Sequence, residues 1–116
     1  MRVLIVDDHA GFRATARRLL EGEGYEVVGE AEDAAAALAV AQETRPELVL
    51  LDVQLPDLDG FELAEVLVKL DPAVRIVLIS SRDAEDYGRH VDASPAPGFL
   101  PKAELSGAAL AALLSE

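Results

Sequence analysis

Short apolar runs alternate with helical stripes along the whole chain, and this alternation restricts the fold more than any other feature. Val3-Leu4-Ile5-Val6, Glu26 to Gly29, Leu48 to Leu51, Ile76 to Ile79 within Arg75 to Ser80, and Gly98-Phe99-Leu100 read as strands. Between them, Phe12, Ala16, Leu19 and Leu20 recur at helical spacing until Gly24. Ala34 to Ala41 reads as an alanine-rich helix ending before Pro46. A further helix opens at Gly60, carries Phe61, Ala64, Leu67 and Val68 on one face, and stops at Asp71-Pro72. A weaker helix is predicted from Asp83 to about Asp92, where the internal Gly88 costs about 1 kcal/mol against Ala. The last runs from Leu105 to Leu114.

Strictly alternating strands and helices imply right-handed crossovers, a parallel sheet and helices on both faces. The expected fold is therefore α/β, a doubly wound five-stranded parallel sheet of order 2-1-3-4-5, flavodoxin-like (βα)5, forming a single domain over residues 1–116. Strands buried on both faces read as continuous apolar runs, which accounts for LVLL at 48–51. It leaves Asp52 to be explained, because the run ends directly on a carboxylate.

In this topology ligands sit beyond the carboxyl ends of the strands, at the switch between strands 1 and 3. Strand 1 ends in Asp7-Asp8 and strand 3 in Asp52, so three carboxylates converge there. Two carboxylates ~4 Å apart at an effective dielectric near 20 repel by about 4 kcal/mol. Either a raised pKa or a hard divalent cation relieves such a cluster. Oxygen ligands favour Mg²⁺ over Zn²⁺. His9 follows the pair but reads as a surface residue opening the first helix. Strand 4 ends in Ser80 and strand 5 is followed by Lys102, which bring a hydroxyl and an ammonium to the same rim. Acids with a metal on one flank, and a donor and a cation on the other, suit a transferring phosphoryl group. Taken singly, each of these residues has a bland reading as a helix cap, strand end or surface lysine; their convergence on one edge carries the inference.

Composition removes several alternatives. The chain of 116 residues has no cysteine, which excludes disulfides and thiolate chemistry. With 10 basic and 22 acidic residues the net charge is −12, so direct nucleic-acid binding by this domain is not expected. No apolar run is long enough to span a membrane, and MRVLIV lacks the features of a signal peptide. A cytoplasmic location is the corresponding expectation.

Val6-Asp7-Asp8, Asp52 within DVQLPDLDG, Ser80 after the fourth strand, and Phe99 three residues before Lys102 together resemble the receiver domains of two-component response regulators. The resemblance covers essentially the whole chain. It implies a phosphoacceptor domain of a phosphorelay, in which Asp52 takes a phosphoryl group from a phosphohistidine on a sensor histidine kinase or phosphotransfer protein. Such a domain catalyses its own phosphorylation and dephosphorylation and is not an enzyme acting on a separate substrate. Asp7, Asp8, Asp52 and the backbone carbonyl of Gln54 would hold Mg²⁺, with Mn²⁺ as an alternative. Lys102 would contact the phosphoryl oxygens, Ser80 would donate its hydroxyl to them, and Phe99 would be the switch aromatic. Read from the residues alone, Phe99 is a core residue. Gln54 and Arg82 occupy the family's lifetime-tuning positions, and their size implies slow self-dephosphorylation. Asp57 and Asp59 read as solvated turn or capping residues, Pro56 as a turn former.

The chain departs from the family at two places. Many receivers have a proline after the lysine, joined by a cis bond; here Ala103 follows, and a cis bond to a non-proline costs ~2.5–4 kcal/mol. Lys102 is still expected to point into the site. Pro95 and Pro97 also replace the usual approach to strand 5 and Pro101 precedes the lysine, which suits an edge strand and, with Gly88, predicts mobility over 92–102. A phosphohydrolase with a nucleophilic Asp is the competing enzymatic reading, but its DxD signature is absent. A degenerate receiver serving only for binding is opposed by the intact Asp7, Asp8, Asp52, Ser80 and Lys102. FRATARRLLE and the last helix look like receivers attached to LuxR-type output domains, and no output domain lies within these residues, so the chain reads either as a stand-alone receiver or as one domain of a larger regulator. Leu105, Ala109, Ala112 and Leu113, with Leu110 and Leu114 beside them, form a stripe that either packs on the sheet or supports a homodimer.

Overall fold

The computed structural model describes residues 1–81 and 98–114. Strands β1 (Arg2–Val6), β2 (Glu26–Ala31), β3 (Leu48–Asp52), β4 (Arg75–Ser80) and β5 (Gly98–Pro101) form one sheet of order β2-β1-β3-β4-β5. All its pairings are parallel. Helices α1 (Ala10–Gly22), α2 (Ala34–Thr44), α3 (Gly60–Leu70) and α4 (Gly107–Leu114) cover its two faces. The order expected from the sequence is the order observed. The predicted helix over 83–92, Arg82, and residues 92–97 of the segment expected to be mobile lie outside the described residues.

Two apolar layers show why the strands read as unbroken runs. Leu4, Val6, Val49, Leu51 and Leu78 face Ala34, Ala37, Leu63, Ala64 and Leu67 of α2 and α3. Their neighbours Val3, Ile5, Leu48, Leu50, Val77 and Ile79 point the other way, toward Ala16 and Leu20 of α1 and Leu110 of α4. Successive side chains of a strand alternate faces, and here both faces are buried.

Helix boundaries follow local chemistry. The chain leaves α1 after Gly22 through Glu23 and the left-handed Gly24, with φ of 91°. Asp33 caps α2 through Ala36 N–H at 2.8 Å, and Asp59 caps α3 through Glu62 N–H at 2.9 Å. At its far end α2 runs on to Thr44, beyond the predicted Ala41, and the Arg2 guanidinium donates to the terminal carbonyls of Thr44 and Arg45. The last helix begins two residues later than predicted. Lys102–Glu104 form a 3₁₀ turn, and the Ser106 hydroxyl oxygen accepts from Ala109 N–H at 3.0 Å, which starts α4 at Gly107. The wide stripe on that helix is used inside the molecule: Leu105, Ala109, Leu110, Leu113 and Leu114 all pack into the layer under α1 and α4. Ala112 is exposed.

Gly60 fixes where α3 starts relative to β3. Its N–H donates to Val53 C=O at 2.6 Å, and a Cβ there would overlap the Asp52 carbonyl and sit 2.7 Å from Val53 Cα. The obstruction is backbone, which yields less readily than a side-chain tip. Gly60→Ala is expected to lower stability by about 1–3 kcal/mol, the usual cost of overpacking, measured by urea unfolding followed by circular dichroism.

Candidate functional site at the carboxyl edge of the sheet

The register places the acids side by side. Val6 pairs with Leu51, so Asp7 and Asp52 leave adjacent strands at the same level. Asp7 is anchored by its N–H to Ala31 C=O at 3.0 Å and is fully buried. Its Oδ1 accepts from His9 N–H at 2.8 Å, and its Oδ2 lies 2.7 Å from Lys102 Nζ, with no partner beyond that ion pair among the described residues. Asp52 is only 3 % exposed; its Oδ1 accepts from Gln54 N–H at 3.1 Å and its Oδ2 from Lys102 Nζ at 3.3 Å. Asp8 faces solvent at the rim.

Lys102 therefore bridges two buried carboxylates. Every peptide bond among the described residues is trans, Lys102–Ala103 included. The 3₁₀ turn after β5, closed by Leu105 N–H to Lys102 C=O at 3.2 Å, supplies the change of direction. The side chain crosses the ring of Phe12, with Nζ 4.7 Å from the centroid, close enough for a cation–π contribution.

Burial raises the Asp52 pKa above its ordinary value. The Gln54 N–H pulls it back down, the neighbouring Asp7 charge pushes it up again, and Lys102 lowers it. Burial lowers the Lys102 pKa, but its bonds and attractions to Asp7 and Asp52 outweigh this, leaving it raised and the ammonium charged. Both shifts favour holding the proton: burial disfavours the Asp52 charge, and among the described residues one ammonium faces two buried acids with Asp8 beside them at the rim. That imbalance is what a divalent cation corrects. One ligand atom each from Asp7, Asp8, His9 and Asp52 all lie within 4.8 Å of one another. With three carboxylates in the set, the donors fit a hard dication.

The other singled-out residues fall around this cluster. Ser80 is buried at the end of β4, one step past Ile79, the register partner of Asp52. Phe99 is half-buried against the layer under α2 and α3. Gln54 is exposed and bridges to Asp59 across the turn. His9 is exposed, as read from the sequence, yet its Nδ1 lies 3.2 Å from Asp7 Oδ1 and 3.0 Å from Asp8 Oδ1, so the donor set is not oxygen alone. It precedes α1 as the capping residue and does not open the helix.

Three contributors were not legible beforehand. Arg13 donates through Nη1 to the Asp7 carbonyl at 2.5 Å while its Nε meets Glu30 at 3.2 Å, tying the acidic loop to β2. Arg17 joins the same Glu30 at 2.9 Å. Phe12 shows only as an apolar helical residue until Lys102 is seen above it. Asp57 caps a helix far away in sequence, accepting from Ala34 N–H at 2.9 Å and Ala35 N–H at 3.1 Å. The capping role of Asp57 was legible from the sequence, but the helix it caps was not.

Comparisons with known proteins bear on the family and the fold. A family model described as the response regulator receiver domain matches residues 3–114. The chain is 38% identical over 103 residues to the transcription regulator BvgA of Bordetella pertussis, covering 89% of this chain and 49% of that protein. It thus spans about half the length of the curated relatives it matches. The receiver domain of the response regulator NarL from Mycobacterium tuberculosis superposes with a TM-score of 0.85 at 34% identity, covering 99% of this chain and 97% of that one. A LuxR-family two-component response regulator from Aurantimonas gives 0.84 at 34% identity, over 97% and 84% of the two chains.

The Ala34 and Ala35 N–H groups hold the Asp57 pKa below its ordinary 3.8. A depressed carboxyl stabilises the fold above its unfolded pKa, and this contribution is lost as pH falls through the folded value. Asp57→Asn is expected to be less stable than the native chain at pH 6, with the difference shrinking below about pH 4, read from urea midpoints at each pH.

Proposed function

This chain belongs to the response regulator receiver domain family, and from that membership we propose that it accepts a phosphoryl group on Asp52 and signals through the resulting change of conformation. The observation that carries this reading is Lys102 Nζ, poised 2.7 Å from Asp7 and 3.3 Å from Asp52 inside a cluster of acids. An Asp52 carboxylate oxygen attacks the phosphorus of a phosphohistidine on a sensor histidine kinase or phosphotransfer protein. A P–O bond forms, the P–N bond breaks, and the imidazole nitrogen leaves with the electron pair. The Lys102 ammonium meets the charge on the phosphoryl oxygens, and the Ser80 hydroxyl donates to them.

Asp7, Asp8, Asp52 and the Gln54 carbonyl would hold Mg²⁺ or Mn²⁺. When bound, the ion neutralises charge on the phosphoryl oxygens and lets the acids lie together. Phe99, half-buried beside β4, is the aromatic that changes packing as Ser80 turns toward the phosphoryl group. Reversal occurs by water attack on the aspartyl phosphate, which Gln54 and Arg82 are proposed to slow. We assign residues 1–116 to a single receiver unit. Its partners would be the phosphohistidine donor and, through surfaces other than the packed face of α4, a second copy. By likeness to relatives such as BvgA, its output would be transcriptional, through residues other than this acidic domain.

A small acyl-phosphate donor with Mg²⁺ is expected to label the chain stoichiometrically, with Asp52→Ala abolishing the label. Lys102→Ala is expected to slow labelling about 100-fold, as loss of one preorganised charge does elsewhere. Gel shift on a phosphate-binding gel and intact mass measure both. Steady multiple turnover of an ordinary phosphate ester would replace this reading with a phosphohydrolase.

A further inference from the structure

We infer that His9 supplies a nitrogen ligand to the cation site formed with Asp7 and Asp8, giving the pocket a preference for first-row transition dications over Mg²⁺. This rests on the reading of the acidic pocket as a divalent-cation site.

The imidazole Nδ1 lies 3.2 Å from Asp7 Oδ1 and 3.0 Å from Asp8 Oδ1. A neutral ring offers at most one hydrogen at that nitrogen, so two carboxylates share a single donor. One cation satisfies all three atoms at once. Ligand atoms bound at about 2.1 Å and cis in an octahedron lie about 3 Å apart, the spacing already present. Asp52 adds a fourth atom, and the whole set spans no more than 4.8 Å, against about 4.2 Å between trans ligands at that bond length. Small side-chain adjustments close the difference.

The ring is also held where it is needed. His9 N–H donates to Asp7 Oδ1 at 2.8 Å, and His9 C=O accepts from Arg13 N–H at 3.1 Å, so the backbone carrying the imidazole is fixed from both sides. Asp7 is fully buried, and among the described residues its second oxygen has only Lys102 as a counter-charge. The imidazole itself is 69 % exposed, which leaves a path for the ion and room for water in the remaining positions. Carboxylate and water ligands alone suit Mg²⁺, whereas an imidazole strengthens binding of Mn²⁺ and, more steeply, Ni²⁺.

The test uses the tag-free chain at fixed neutral pH, with Mg²⁺, Mn²⁺ and Ni²⁺ as probes. Pulsed electron paramagnetic resonance of bound Mn²⁺ is expected to show nitrogen modulation from one imidazole. The signal should vanish in His9→Ala and persist when the chain's other histidine is changed, His90→Ala. By calorimetry, His9→Ala is expected to weaken Ni²⁺ at least about tenfold while leaving Mg²⁺ within about twofold. Mn²⁺ bound without nitrogen coupling, coupling that follows His90, or parallel losses for Ni²⁺ and Mg²⁺ would overturn the inference. Native protein that binds Mg²⁺ with no nitrogen ligand overturns only the role of His9. Protein that binds none of the three ions, with Asp8→Ala behaving as the native chain does, overturns the cation-site reading as well.

Discussion

One ammonium held between two buried carboxylates organises the carboxyl edge of this sheet. Taking Asp7 and Asp52 out of water costs several kcal/mol per ion, and only a close counter-charge offsets it. Lys102 provides that charge from the far side, since β5 and β1 are separated in the sheet by β3 and β4. The interaction thus closes the top of the sheet across four strands. Among the described residues it also leaves the pocket short of positive charge, because Asp8 belongs to the same cluster. The arrangement leaves an excess of negative charge whose donor atoms fit a hard dication.

The supporting shell is made of short backbone constraints. Gly60 lets α3 begin against the Asp52 carbonyl, Arg13 grips the Asp7 carbonyl, and Asp57 joins the loop after β3 to the start of α2. Each acts on main chain and leaves the carboxylate oxygens of Asp7 and Asp52 untouched. Rigid placement of reacting groups depends on such outer contacts as much as on the groups themselves. The link from Asp57 to α2 also means that a change in the β3–α3 loop is felt by a helix on the same face of the sheet.

Strand order was legible because continuous apolar runs separated by helical stripes admit few topologies, and the strand-end acids then fall together by register. Asp7, Asp8, Asp52 and Lys102 could be assembled on that basis alone. Contacts through long side chains could not: Arg13 reaching Glu30, or Lys102 lying over Phe12, depend on rotamers that spacing does not encode. The turn after β5 shows another limit. The missing proline after Lys102 suggested either a strained cis bond or a different route, and a 3₁₀ turn with trans peptides provides the route. His9 was read as a bystander because a polar residue ahead of a helix has an adequate local explanation, whereas its distance to Asp8 exists only in three dimensions.

The outer strand β2 has a different bearing on how the molecule behaves in company. An exposed strand edge offers unpaired backbone groups to any neighbouring chain. Here the pairing of β1 with β2 slips between Val3 and Leu4, so Val28 has no opposite number and the strand is bulged. The same strand carries Glu26 and Glu30, the latter clamped by two arginines. At the other end of the sheet, Pro101 removes a donor from β5. A chain that is 51% hydrophobic thus carries kink, charge and a missing N–H where sheets otherwise grow by strand addition.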